Sequence, residues 1–144
     1  GLGTITPASG FVLPLHAVVI GAVAGFVCFW ACTSLKQRLG YDDSLDVFGV
    51  HGVGGVIGTI LTGVFAAAAV SAGPDSPAGF PGLLEGNPRQ LWIQCLGAAV
   101  TIAWSGAATF VILKAVGLLV PLRVSDEDER AGLDIRLHGE SIHA

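Results

Sequence analysis

Three stretches of the chain, residues 1–35, 47–74 and 90–113, hold no Asp, Glu, Lys or Arg. Uncharged apolar runs of roughly 18 residues or more have the length and composition of membrane-crossing helices. Charged side chains make up 12% of the sequence, against about 25% in an ordinary soluble domain. A chain with this distribution is an integral membrane protein, and a soluble enzyme is excluded. No nucleophile–base arrangement stands out, so neither an enzyme nor a cofactor is expected.

The breaks between the apolar runs define the organisation. Residues 1–10, with Thr4, Thr6, Pro7, Ser9 and Gly10, read as the end of a preceding span or a turn. A first span is expected over 11–35, closed by Lys36-Gln37-Arg38, and a second over 45–70, with Asp43 or Ser44 placed to cap it. Residues 71–90 carry Pro74, Pro77, Pro81 and Pro88 together with Gly73, Gly79, Gly82 and Gly86, which reads as an exposed extracytoplasmic loop. A third span over 91–120 stops at Pro121. At ~1.5 Å per residue it exceeds the ~30 Å hydrocarbon layer, so it must tilt or protrude. Residues 121–144 are too charged to enter lipid and form a polar tail. The fold class expected is all-α, a polytopic transmembrane helical bundle with a cytoplasmic tail.

Orientation follows from the basic residues. With three crossings, the loop after the first span and the tail lie on one side. That side holds Lys36, Arg38, Lys114, Arg123, Arg130 and Arg136, and the proline-rich loop holds Arg89. The positive-inside rule puts the tail in the cytoplasm of a multi-pass cell-membrane protein. The net charge of −4 carries no basic cluster that would suit nucleic acid. The sequence contains no methionine and opens on apolar Gly1-Leu2 without the basic region of a signal peptide. It is therefore expected to be the C-terminal part of a longer chain.

The second span carries the chemistry. On a regular helix Val47, His51, Gly54 and Gly58, spaced 4, 3 and 4, share one face. Gly54 and Gly58 form a GxxxG pair that lets another backbone approach closely. An ionisable residue inside a membrane is costly, which makes His51 a functional candidate; a hydrogen bond to a neighbouring helix is the structural alternative. Asp46, in the first turn, suits either a helix cap or a cation path. His16 lies near the outer end of the first span and reads as interfacial. Cys28 and Cys32 share a helix face and Cys95 stands alone; metal binding or a disulfide is open beside plain apolar packing, since free Cys behaves as a small hydrophobe. His138 and His143 in the tail lack a constraining Cys/His spacing, so no metal is expected.

The run Asp42-Asp43-Ser44-Leu45-Asp46-Val47-Phe48-Gly49-Val50-His51-Gly52-Val53-Gly54-Gly55 resembles the signature segment of the Amt/Mep ammonium transporter family. The likeness continues in Ile5-Thr6-Pro7-Ala8, Trp104-Ser105-Gly106, Leu122-Arg123-Val124, Asp128-Glu129-Arg130-Ala131-Gly132-Leu133-Asp134 and His138-Gly139-Glu140. It covers nearly the whole chain, and the tail separates it from the related Rh proteins. The resemblance implies the last three spans of a transporter of about eleven helices, assembled as a homotrimer. It implies further that His51 is the second of two touching pore histidines, with Val47 on the pore wall and Asp46 near the cytoplasmic end of the path. The first pore histidine and the aromatic vestibule that attracts ammonium by cation–π contact belong to earlier helices of that family, and His16 is too far out to replace the histidine. The implied mechanism recruits NH4+, removes a proton and passes NH3 along the histidines. The tail, through Arg130, Gly132, Asp134, His138, Gly139 and Glu140, is implied to dock below the pore and to meet a PII-type regulatory protein. A disordered solvated tail is the plain alternative. An ammonium sensor signalling through its tail is the competing function.

Overall fold

The computed structural model describes Gly1 and residues 6–140. Within the expected turn over 1–10, residues 2–5 lie outside the described residues. The remainder closes with Phe11 N donating to Ala8 O at 3.0 Å and Gly10 at φ +79°.

Pro14 fixes the start of α1 (Pro14–Leu39), at a position where its missing N–H has no helical partner to lose. The helix is regular to Trp30 and then passes through a π-helical turn, Ala31–Leu35. There the Thr33 hydroxyl donates back to Phe29 O at 2.8 Å, a bond that competes with the backbone ladder. Gly40, at φ +63°, ends α1 in the left-handed conformation, its N–H donating to Lys36 O at 2.9 Å.

A second helix, α2 (Phe48–Phe65), opens with another π-helical turn, Phe48–Val53, and is regular over Gly54–Phe65. It ends short of the expected Val70. Ala66 turns extended and pairs with Val12, Ala67 N donates to Phe11 O at 2.8 Å, and Gly82 N donates to Ala66 O at 2.8 Å. The run Ala66–Ala69 looks helical by propensity, but its small side chains let three backbone segments meet, and Ala66 and Ala67 are buried.

Residues 71–90 are ordered around that meeting point. A short helix, α3 (Ala68–Ser71), is capped by Glu85, whose Oε2 accepts from Ala68 N at 2.8 Å. Phe80 N donates to Ser71 Oγ at 2.7 Å, and Asn87 Nδ2 donates to Pro81 O at 3.0 Å. At Gly79 a Cβ would collide with the Ala68 carbonyl, so only glycine fits. The third long helix, α4 (Pro88–Gly117), has 30 residues. Near its start, a Cβ at Gly63 of α2 would lie 3.0 Å from Leu91 Cα and from Gln94 Cγ.

Contacts divide the chain into two units, residues 1–101 and 102–144. The first has a core of small residues, with Ala8, Ala24, Ala31, Ala66 and Ala67 buried as well as Ile20, the pattern of helices that touch through their backbones in lipid. In the second, Pro121 follows the end of α4. Ser125 then caps α5 (Asp126–Ala131), and Gly132, at φ +91°, bends the chain into a π-helical turn, Asp134–His138. The architecture is all-α, and α1, α2 and α4 are each long and apolar enough to cross a membrane.

Candidate functional site

The entrance to α2 is built from its acidic residues. Asp43 is the cap: Oδ1 accepts from Val47 N and Oδ2 from Phe48 N, both at 2.8 Å. This satisfies two of the orphan amides of a helix start and sets a negative charge at its positive end. Asp46 takes another part. It stands at φ +55°, in the left-handed region that Asp tolerates better than most residues, and its carboxylate pairs with Lys36 Nζ at 2.8 Å. The alternative of Asp46 as the cap is therefore corrected, because that geometry is met three residues earlier. Lys36 Nζ also donates to the Asp43 carbonyl, which ties the last turn of α1 to the first of α2.

The two π-helical turns pack against each other, and the contact is between thiols and glycines. A Cβ at Gly49 would lie 2.5 Å from Cys32 Sγ, and one at Gly54 would lie 2.9 Å from Cys28 Sγ. Cys28 Sγ donates to Val50 O at 3.8 Å, a weak bond of the kind sulfur makes. Gly49, Gly54, Gly58 and Thr62 are all buried, at spacings of 5, 4 and 4. The step of five crosses the π-turn.

That step separates the four residues expected on one face. Each residue turns a regular helix by about 100°, and a π-turn holds one more residue than an α-turn. Val47 and His51 are exposed, whereas Gly54 and Gly58 are buried against the rest of the unit. The His51 ring makes no hydrogen bond among the described residues. His16 lies at the other end of α2, its ring tilted 40° against that of Phe65 at 5.1 Å, its Nδ1 3.3 Å from Phe65 O. That is fourteen residues, or about 21 Å, along the helix from His51.

Beside the entrance, Tyr41 stands edge-on to Phe48 at 5.6 Å, and its hydroxyl is buried without a hydrogen bond among the described residues. Burial, reinforced by the Asp43 carboxylate, pushes its phenol above the ordinary value. Sequence reasoning missed both π-turns, the thiol–glycine contacts and the Lys36–Asp46 pair. The five-residue gap from Gly49 to Gly54 was the one available signal.

In the tail, Arg136 Nε donates to Asp128 Oδ1 at 2.9 Å, Ser125 Oγ donates to Asp128 Oδ2 at 2.7 Å, and Arg123 binds both oxygens of Glu129. These bonds join α5 to the following turn. Arg130, Asp134, His138 and Glu140 are exposed, and Gly139 closes the last turn at φ +66°. His143 lies outside the described residues. Among the described residues no group of three or more His, Cys, Asp or Glu could hold a metal ion.

The family model described as the Ammonium Transporter Family matches residues 1–142. The chain is 46% identical over 143 residues to an ammonium transporter of Bacillus subtilis, covering 99% of this chain and 34% of that one. It is 47% identical over 143 residues to an ammonium transporter of Aquifex aeolicus, covering 99% and 32%. Among solved structures it resembles Mep2 of Saccharomyces cerevisiae with a TM-score of 0.73 at 38% identity, over 86% of this chain and 28% of that one. For Mep2 of Candida albicans the TM-score is 0.75 at 35% identity, over 87% and 28%. The chain spans about a third of the length of the curated relatives it matches. With three membrane-capable helices and a family match along almost its whole length, it belongs to the ammonium transporter family.

Proposed function

We propose that, in a protein of the relatives' length, this segment supplies part of the wall of a path for ammonium and ammonia, with His51 and Val47 on that wall. The observation that carries this reading is the placement of His51. It is an ionisable ring, exposed on a membrane-capable helix, with no hydrogen bond among the described residues. A polar group held in an apolar layer is costly unless something meets it. A partner from beyond this segment or a passing solute fulfils that need.

The chemistry suits ammonium. The ion carries its charge into an apolar path only at a large desolvation cost, which falls once it gives up a proton and moves as NH3. A neutral imidazole offers a donor on one nitrogen and an acceptor on the other, so it can hold NH3 in either sense without becoming charged. Potassium has no proton to lose and stays excluded. Asp46, paired with Lys36 at the start of α2, lies at the cytoplasmic end of this path. Trimeric assembly, a cytoplasmic tail and docking of a PII-type protein on residues 130–140 complete the proposal.

The test is His51→Ala in a protein of the relatives' length that carries this segment. Methylammonium uptake is expected to fall by about tenfold or more, the scale of leaving one polar step unmet, at equal amounts of protein in the membrane. Undiminished uptake across substrate concentrations rejects the reading.

A further inference from the structure

We propose that Cys28 and Cys32 are positioning residues for His51, a role that rests on reading His51 as part of the path wall. A π-helical turn is a departure from regular α-helix and persists where its surroundings over-determine it. Around His51 those surroundings are two thiols of α1. Cys32 Sγ occupies the space where a Cβ at Gly49 would sit, and the Cys32 backbone N is 3.1 Å from that same point. Cys28 Sγ stands against Gly54 and donates to the carbonyl of Val50, the residue before His51. The π-turn is thus held at Gly49 and at the Val50 carbonyl, and at Gly54 just beyond its end. His51 projects from the exposed side of the same turn.

Sulfur suits this place. A thiol is compact enough to approach a glycine backbone, polarisable enough to pack there, and still a weak donor to a carbonyl. A larger side chain at either position would push α2 away, and a smaller one would leave the turn free to relax to regular α-helix. Relaxation would rotate His51 relative to the buried glycines by about 100° for each residue of register.

The experiment uses a protein of the relatives' length carrying this segment, with membrane amounts matched. Cys28→Ala is expected to lower the maximal rate of methylammonium uptake about threefold to tenfold, the scale of one hydrogen bond, to move its pH profile and to leave KM nearly unchanged. Cys28→Ser keeps a donor and is expected to restore most of the rate and the original profile. Gly49→Ala is expected to be more damaging, and Cys32→Ala in the same protein to recover part of the loss. In a His51→Ala background Cys28→Ala should add nothing. A second readout does not depend on transport: the ring nitrogen resonances of His51 should shift in Cys28→Ala and return in Cys28→Ser. Unmoved resonances and an unmoved pH profile in Cys28→Ala overturn the positioning role, as does an equal loss in the Ala and Ser variants. Undiminished uptake in His51→Ala with shifted resonances in Cys28→Ala overturns the path reading alone.

Discussion

At the scale of single residues, Tyr41 shows how a side chain can pack well and still carry a cost. Its ring meets Phe48 edge-on, a favourable arrangement for aromatic pairs, while its hydroxyl is buried with no partner among the described residues. Leaving a donor unmet costs more than never having had it. Tyr41→Phe keeps the ring contact and removes the hydroxyl. It is therefore expected to be neutral or modestly stabilising, read as thermal unfolding in detergent. The sign with pH is definite. Burial raises the phenol pKa in the folded state, so the Tyr41 contribution is complete below the ordinary phenol value near 10 and is lost as pH rises through the folded value. Stability should fall in that range for the wild type and fall less for Tyr41→Phe; equal alkaline curves would refute the assignment. Asp43 acts in the same direction by its charge, but after burial, so Asp43→Asn should lower the phenol pKa only in part.

At the scale of elements, α5 and the turn after it depend on one carboxylate. The Ser125 hydroxyl bonds Asp128 first and Arg136 second, and together they hold its pKa below the ordinary carboxylate value near 3.8. A depressed carboxylate stabilises the folded form above that value and loses the contribution as pH falls through the folded one. The carboxyl resonance of Asp128 should titrate below pH 3.8, and Ser125→Ala should raise its midpoint more than Arg136→Gln; the reverse order would refute this ranking of causes. The long elements were legible in the sequence, because a helix crossing lipid must exclude charge and the charge-free runs mark the spans directly. The phase of α2 was not. Spacing arguments assume about 100° per residue, and a π-turn breaks that assumption at His51. The kink after Phe65 was hidden for a different reason. Alanines at 66–69 carry the same hydropathy and propensity in a helix as in a close backbone crossing, so only the partners, Val12 and Gly82, decide between the two. At the α2 entrance the acidic run was visible, but which carboxylate caps and which pairs with Lys36 depended on a left-handed turn at Asp46 that sequence spacing does not encode.

At the scale of the whole molecule, orientation is the property that sequence and elements constrain jointly. Were α1, α2 and α4 each to cross the membrane, the segment between α1 and α2 would face the same side as the tail, and residues 72–87 the other. Lys36 and Arg38 stand in the last turn of α1, and Arg123, Arg130 and Arg136 follow α4. Arg89 stands at the start of α4, and the same reading would put it on the opposite side. The ion pairs formed by Lys36 with Asp46 and by Arg136 with Asp128 do not cancel this bias, since acidic residues contribute little to the positive-inside rule. The expected arrangement has the tail inside and residues 72–87 outside. In intact cells bearing a protein of the relatives' length with this segment, a membrane-impermeant thiol reagent should label Ser76→Cys but not Glu140→Cys. After permeabilisation both should react. The three native cysteines lie in apolar helices, and labelling of the unsubstituted protein measures their background. Labelling of Glu140→Cys from outside would reverse the orientation and place Asp46 at the outer mouth.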